Sequence, residues 1–279
     1  MILLVGFPED SVLRCYANYL IQRGIAATMI NVHHVGRQIT IDDNGFTAND
    51  QTLKHDDIGG IYSRLFLGRI QDLPAFQKDQ LLLLYHYLDC CYERVVNRPS
   101  IAMHNFSKLW QVCDLYHEDL QSIATKVKIN HTSSHRKDKM GFIMKSISAH
   151  RSICQYLDNN DCYEPVILQP DMGRNNIRVH CIGEKVYAQQ ITTHELDYRY
   201  ASKQLWSEYS LPKRIAEACI CLTKELGLIF SGVDLIERNG QYALLEINPS
   251  PGYSYFESHL GQSLISQALT DYLLSLCEL

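Results

Sequence analysis

Three side chains able to bind a cation lie close together in an otherwise apolar stretch. Residues 231–257, SGVDLIERNGQYALLEINPSPGYSYFE, resemble a two-stranded hairpin, yet they include Asp234, Glu246 and Asn248. Side chains two residues apart on a strand share a face, so Glu246 and Asn248 lie together. Mg²⁺ prefers such oxygen ligands, whereas two neighbouring carboxylates without a cation repel each other. We predict a metal site formed by these three residues; the alternative is a solvated sheet face with scattered polar residues.

The turn of this hairpin decides whether Asp234 joins the other two side chains. A two-residue Asn239-Gly240 turn would place Asp234 opposite Leu245, on the wrong face. A three-residue loop, Arg238–Gly240, would place it opposite Leu244, which this alternation puts on the face of the other two ligands. Three-residue hairpin loops commonly end in a left-handed residue, which glycine adopts easily. We therefore predict the three-residue loop.

The same segment resembles the C-terminal signature of ATP-grasp carboxylate–amine ligases, especially the peptide-modifying ones of the glutamate-adding and microviridin types. That signature is an Asp followed by an E-x-N-P segment and a glycine-containing loop, here Asp234, EINP and Gly252. The resemblance implies that the three side chains hold one or two Mg²⁺, or Mn²⁺, on the phosphates of ATP.

The resemblance also assigns roles along the rest of the chain. NFSKL and FIMKSIS match the two phosphate-binding lysines, VILQPDM matches the strand that binds adenine, and NNIRVHCIG and LDYRYA match two arginines near the phosphates. The residues assigned to the nucleotide are Lys108, Lys145, Ser146, Arg151, Gln169, Pro170, Asp171 and Met172. Those assigned to catalysis are Arg178 and Arg199, with surface ion pairs as the alternative for both.

One departure concerns the flap over the phosphates. Many relatives have a glycine-rich flap after the strand lysine, whereas this chain has KSISAHRSICQYL. This looks like the K-S-x-S-x-x-R-S pattern of ligases that crosslink ribosomal peptides. Ser146, Ser148, Arg151 and Ser152 would then contact phosphate through hydroxyl and guanidinium groups; the alternative is a helix N-cap followed by a surface arginine.

The surrounding elements indicate two kinds of sheet. Residues 1–100 alternate strand, helix and strand, which predicts a parallel α/β layer; this layer has no glycine-rich nucleotide motif. The rest predicts an α+β part with antiparallel strands, for which the resemblance implies an ATP-grasp domain of two antiparallel-sheet subdomains, residues 101–163 and 164–279. The segment LPKRIAEACICLTKELGL predicts an amphipathic helix whose apolar face carries Ile215, Ala218, Cys219, Leu222 and Leu226.

Composition narrows the classes of partner. The 279 residues carry a net charge of −5, which gives no general attraction to nucleic acid or to an anionic membrane. No apolar run reaches the roughly 18 residues of a membrane helix. Ten cysteines without a CxxC motif are expected to be reduced packing residues of a cytoplasmic protein. The sequence leaves open whether the protein forms a homo-oligomer.

Together these features predict an ATP-dependent carboxylate–amine ligase that forms an amide through an acyl phosphate and releases ADP. The carboxylate would come from a small molecule or a peptide, and the amine acceptor from an amino acid or a ribosomal peptide. Arg64, at a strand end, is predicted to bind a substrate carboxylate, and Glu257 to orient the acceptor. Two alternatives are a kinase on the same scaffold and a nucleotide-binding module without turnover.

Overall fold

The computed structural model of the chain shows two compact units. It describes residues 1–48, 51–65, 74–90, 95–102, 109, 111, 115–128, 141–147, 154–156, 165–198 and 201–275. The first unit comprises Met1–Met103, Gly227–Phe230 and Ser250–Leu279, and the second comprises His104–Leu226 and Ser231–Pro249. This grouping differs from the three contiguous domains predicted from the sequence, because residues 250–279 pack with the N-terminal part of the chain.

The elements follow one another in three runs. The first run is β1 (Ile2–Gly6), α1 (Ser11–Gln22), β2 (Ala27–Asn31), β3 (Ile39–Asp42), β4 (Gly45–Ala48), β5 (Gln51–Lys54), β6 (Gly60–Ser63), α2 (Ala75–Cys90), β7 (Val95–Val96) and α3 (Pro99–Ala102). The second is β8 (Lys126–Lys128), β9 (Phe142–Ser146), β10 (Cys154–Tyr156) and β11 (Val166–Pro170). The third is β12 (Asn175–Ile182), β13 (Lys185–Thr192), β14 (Leu205–Glu208), α4 (Lys213–Glu225), β15 (Phe230–Arg238), β16 (Gln241–Asn248), α5 (Ser254–Leu260) and α6 (Leu264–Ser275). Single 3₁₀ turns span Val32–His34 and His55–Asp57.

A parallel sheet forms the centre of the first unit, as predicted. Its strands lie in the order β2-β1-β6-β7, and each neighbouring pair is parallel. Strand β1 is buried along its whole length, which is typical of a parallel strand covered on both faces. Within the described residues, no helix is long and apolar enough to cross a membrane.

Two features of the first unit were not evident from the sequence. The polar stretch after β2 forms a small antiparallel sheet, β3-β4-β5. Helix α6 packs directly on β6, since a Cβ added to Gly60 would lie 2.8 Å from the carbonyl oxygen of Leu273. The close approach explains why glycine occupies that position.

The second unit consists of two antiparallel sheets, which confirms the predicted fold class. The smaller sheet has the order β10-β9-β11-β8 and the larger the order β14-β13-β12-β15-β16. Helix α4 packs against β12. All five residues of its predicted apolar face are buried, so the helical period had identified the packed side correctly.

Candidate active site

The hairpin that carries the predicted metal ligands turns through two residues, so the predicted three-residue loop is wrong. Arg238 pairs with Gln241 across the Asn239-Gly240 turn. Both turn residues have positive φ, 54° and 77°. That backbone matches the right-handed twist of the strands and strongly favours Asn-Gly.

A β-bulge nevertheless brings the three predicted ligands to one face. The register shifts between Asp234 and Leu235, so that Leu245 is the extra residue in β16 and Asp234 lies directly opposite Glu246. Directly opposed residues share a face, and Asn248, two residues beyond Glu246, has the same orientation. Without the bulge, the two-residue turn would have directed Asp234 to the other side of the sheet.

The three side chains lie within hydrogen-bonding distance of one another. Asn248 Nδ2 donates to Asp234 Oδ2 at 3.1 Å and to Glu246 Oε1 at 3.3 Å. From the neighbouring strand β12, Arg178 Nη1 donates to the same Asp234 oxygen at 2.6 Å. The structure thus brings the predicted metal ligands together with one of the two predicted catalytic arginines.

Arg178 is a buried cation in this acidic cluster. Only 6% of its side chain and 13% of that of Asp234 are exposed. Burial acts to lower the pKa of Arg178, but the neighbouring Asp234, Tyr198 and Glu246 outweigh burial and raise it overall. The guanidinium therefore stays charged and pairs with the Asp234 carboxylate.

The donor set fits Mg²⁺. Within the described residues, no group of three His, Cys, Asp or Glu side chains could hold a metal ion, so a set of three ligands drawn from this face would include the Asn248 amide. The nitrogen and oxygen of an amide occupy nearly equivalent positions. Exchanging them would present an oxygen where Nδ2 now meets both carboxylates, and carboxylate and amide oxygens are hard-cation ligands.

Two of the predicted nucleotide-binding residues lie on one face of the smaller sheet. Gln169 pairs with Ile143, and Lys145 pairs with Ile167, so Lys145 and Gln169 face the same way. Gln169 is 4% exposed, and its Nε2 donates to Thr125 Oγ1 at 2.9 Å. Its buried Oε1 has no hydrogen-bond partner among the described residues.

The other described nucleotide-binding residues are placed differently. Ser146 pairs with Val166 and lies on the opposite face from its neighbour Lys145, so the sheet does not bring these two together. Pro170 ends β11, and the half-buried Met172 lines an open depression next to it.

The Asp171 carboxylate accepts hydrogen bonds from residues of its own loop. Its Oδ1 accepts from Arg174 Nη1 at 2.6 Å and from the Gly173 amide at 3.0 Å. The hydrogen bond from Arg174 is the largest cause of a lowered pKa of Asp171, with Gly173 adding to it against the opposing effect of burial. The predicted contact of this carboxylate with the nucleotide stays a prediction.

A small cavity lies between the strand predicted to bind the base and the predicted metal ligands. Its volume is about 40 Å³, and it is bordered by both Gln169 and Glu246. The remaining lining residues are Gln111, Leu115, Tyr116, His117, Leu120, Gln121, Ser122, Ile123, Thr125, Leu244 and Leu245. Residues predicted separately for the base and for the metal therefore border one space within the second unit.

Several predicted site residues fall in segments that the structure does not describe. Lys108, Arg151 and Arg199 lie outside the described residues, as do Ser148 and Ser152. Their roles stay predictions.

Two residues predicted to meet substrate make contacts inside the first unit. Arg64 Nε donates to Asp10 Oδ2 at 2.7 Å, and its Nη1 donates to Ser250 Oγ at 3.0 Å. Glu257 accepts from the Ser266 amide and hydroxyl, each at 2.7 Å, near the start of α6. Both side chains thus anchor the segment that follows the hairpin.

Sequence reasoning missed Gln111, whose buried amide contacts the backbone of Ile247 between two of the predicted metal ligands. No motif includes it, and a glutamine three residues after Lys108 has no distinguishing pattern. Only the tertiary contact identifies it.

The family follows from a comparison with known protein families. Residues 122–273 match the model of the RimK-like ATP-grasp domain, which is more than half of the chain. The chain belongs to the RimK-like ATP-grasp family and is an ATP-grasp enzyme, as its hairpin motif predicted. No curated protein matches the chain in sequence.

Solved structures of peptide-modifying ligases share the fold. The macrocyclase MdnC bound with precursor peptide MdnA, from Microcystis aeruginosa MRC, is 19% identical with a TM-score of 0.76, covering 98% of this chain and 99% of that one. The ATP-grasp ligase PsnB complexed with a phosphomimetic variant of its minimal precursor, Mg and ADP is 19% identical, with a TM-score of 0.77 and 98% of both chains covered. A Chryseobacterium gregarium RiPP-associated ATP-grasp ligase in complex with ADP and a leader and core peptide is 17% identical, with a TM-score of 0.73, covering 98% of this chain and 96% of that one.

Proposed function

We propose that the protein is an ATP-dependent carboxylate–amine ligase that forms an amide through an acyl phosphate and releases ADP. The observation that carries the proposal is the meeting of Asp234, Glu246 and Asn248 on one sheet face, with Arg178 paired to Asp234 at 2.6 Å. The family match supports ATP as co-substrate and Mg²⁺ as cofactor, and PsnB was solved with both Mg and ADP.

The reaction has two balanced steps. A substrate carboxylate oxygen attacks the γ-phosphorus of ATP, the bond from that phosphorus to the bridging oxygen breaks, and ADP leaves with the electron pair. An amine nitrogen then attacks the acyl carbon, the carbon–oxygen bond to phosphate breaks, and the nitrogen loses a proton. Neither step needs a protein nucleophile, so catalysis consists of positioning the reactants and stabilising phosphoryl charge.

The residues of the larger sheet supply that stabilisation. Asp234, Glu246 and Asn248 hold Mg²⁺, which when bound neutralises charge on the phosphates. Arg178 is held in place by its ion pair with Asp234, so it offers a fixed positive charge without reorganisation during the reaction. Lys145, on β9, adds a second cation, and the predicted Lys108 and Arg199 would extend the set.

Gln169 is suited to read the base. A buried amide oxygen with no partner among the described residues matches a hydrogen-bond donor such as the exocyclic amine of adenine. The cavity beside it, about 40 Å³, is far smaller than the roughly 300–1,000 Å³ of typical ligand pockets. Nucleotide binding would therefore have to widen the space around Gln169.

We propose a ribosomal precursor peptide as the substrate. MdnC, PsnB and the Chryseobacterium gregarium ligase were each solved with a precursor, leader or core peptide. The K-S-x-S-x-x-R-S resemblance points to the same class of substrate. The peptide would supply the carboxylate, and the amine would come from the same peptide or from a second molecule.

Thermal unfolding tests the nucleotide and metal site. We expect ADP to raise the melting temperature of the wild type more with Mg²⁺ than without, and Glu246→Gln to lose the Mg²⁺-dependent part, because it removes one ligand charge without changing shape. The matched control is Glu217→Gln, which changes an exposed acid on α4. No shift at saturating ADP and Mg²⁺ would refute the site.

Product analysis separates ligation from the alternatives. The chain is incubated with ATP, Mg²⁺ and synthetic peptides that contain Asp, Glu and Lys, and the masses of the peptides are then measured by mass spectrometry. Ligation releases ADP and removes one water per bond, whereas a kinase would add phosphate. A module without turnover would release no ADP above the Glu246→Gln background.

A further inference from the structure

A buried amide outside the predicted site holds the backbone between two metal ligands. Gln111 is 5% exposed. Its Nε2 donates to the Ile247 carbonyl oxygen at 2.8 Å, and its Oε1 accepts from the Ile247 amide at 3.0 Å. Both polar atoms of the side chain are thus used on one backbone position, the residue between Glu246 and Asn248.

The position needs such a contact because β16 is the outer strand of the described sheet. Alternate residues of an outer strand direct their N–H and C=O groups away from the sheet. Ile247 is fully buried, so water cannot satisfy its outward groups, and a buried backbone group without a partner is costly. The Gln111 amide supplies the partner that a further strand would otherwise provide.

A second contact fixes the same edge on the other side of the bulge. The Gln121 amide donates to the Tyr242 carbonyl at 2.7 Å, and the Leu244 amide donates to the Gln121 carbonyl at 3.3 Å. The outward positions therefore change from even to odd numbers across Leu245. Gln121 holds the register before the bulge, and Gln111 holds it after the bulge.

We propose that Gln111 is a positioning residue for the metal site. By holding Ile247 in the shifted register, it keeps Glu246 and Asn248 directed toward Asp234. This inference rests on the proposed function, since it assumes that these three side chains bind Mg²⁺. Both hydrogen bonds that the Gln111 side chain makes among the described residues go to the Ile247 backbone, not to the three side chains themselves.

The test compares Gln111→Met, which keeps the length of the side chain but removes both hydrogen bonds, with the wild type. Mg²⁺ binding to the full chain at saturating ADP is measured by calorimetric titration, and folding by thermal unfolding. We expect the dissociation constant for Mg²⁺ to rise roughly tenfold, a change on the scale of one or two lost hydrogen bonds. ADP binding without Mg²⁺ should change little.

The matched control is Asn97→Leu. Asn97 makes the same kind of contact in the first unit, because its amide bonds the backbone of Ile229 and Phe230 at the start of β15. This variant is expected to lower the melting temperature while leaving Mg²⁺ affinity at the wild-type value. If it weakens Mg²⁺ binding as much as Gln111→Met does, the effect is general destabilisation and the proposal fails.

The remaining outcomes also decide the matter. If Gln111→Met does not fold, Gln111→Glu replaces it, because a carboxylate can still accept from the Ile247 amide but cannot donate to its carbonyl. Wild-type Mg²⁺ affinity in either folded variant overturns the positioning role, and so does failure of both to fold, since Gln111 would then support the whole unit. A wild-type protein that binds no Mg²⁺ with ADP would instead overturn the proposed function.

Discussion

Replacing Arg178 with methionine tests how the acidic cluster is held together. The variant keeps an unbranched apolar stem, shorter than that of arginine, and removes the guanidinium that pairs with Asp234, whose side chain is 13% exposed. Removing one partner of a buried ion pair typically costs about 3–5 kcal/mol. Asn248 still donates to Asp234 at 3.1 Å, so we expect the lower end, about 3 kcal/mol. At about 2–4 °C per kcal/mol, the melting temperature should fall by roughly 6–12 °C.

The assay is urea and thermal unfolding of the full chain with matched controls. Lys213→Met removes an exposed ion pair with Glu217 at 3.6 Å and should change stability very little. In Arg178→Met, Mg²⁺ should recover part of the loss, because the cation replaces the missing positive charge near Asp234.

A double-mutant cycle decides whether the ion pair is the cause. Asp234→Asn removes the other charge, and the double variant should be more stable than the sum of the two single losses predicts, since neither member of the pair is left without the other. Additive losses, or a loss in Arg178→Met no larger than in the Lys213→Met control, would refute the reasoning.

Two further predictions concern other residues. Gln169→Met should weaken ADP binding roughly tenfold, because it removes a hydrogen bond to the base, and should reduce the preference for ADP over GDP in calorimetric titrations. The control is Thr125→Val, which removes only the hydrogen-bond partner of Gln169 Nε2. An unchanged preference for ADP in Gln169→Met would contradict the base-reading role. Glu257 is a pH-dependent case: burial raises its pKa above the ordinary 4.5, against the lowering effect of the Ser266 hydrogen bonds. Its contribution to stability is therefore present at low pH and is lost as the pH rises through the folded pKa. Urea unfolding from about pH 4 to about pH 8 should show Glu257→Gln gaining stability relative to the wild type as the pH rises, and parallel profiles would contradict the assignment.

Much of the fold followed from local patterns in the sequence. The helical period of α4 predicted which side packs. The order of elements predicted the parallel layer and the antiparallel domain, because strand and helix periods are properties of short segments. The motif with Asp234, Glu246 and Asn248 could also be identified from the sequence, since its residue types and spacing are local features of the chain.

The register of the hairpin was decided by the tertiary structure. The Asn239-Gly240 turn follows its sequence preference, and that preference alone would have separated Asp234 from Glu246. The bulge at Leu245 reverses this outcome, and its register is held by contacts from Gln111 and Gln121, residues more than 100 positions earlier in the chain.

Local patterns in the sequence therefore identified the candidate side chains for binding a metal and a nucleotide. Only the tertiary structure decided that Arg178 pairs with Asp234, that Gln111 supports Ile247 and that Glu257 binds the start of α6. The physical reason is that each of these contacts joins segments whose approach depends on how whole sheets and helices pack. A pattern of neighbouring residues carries no information about such a distance.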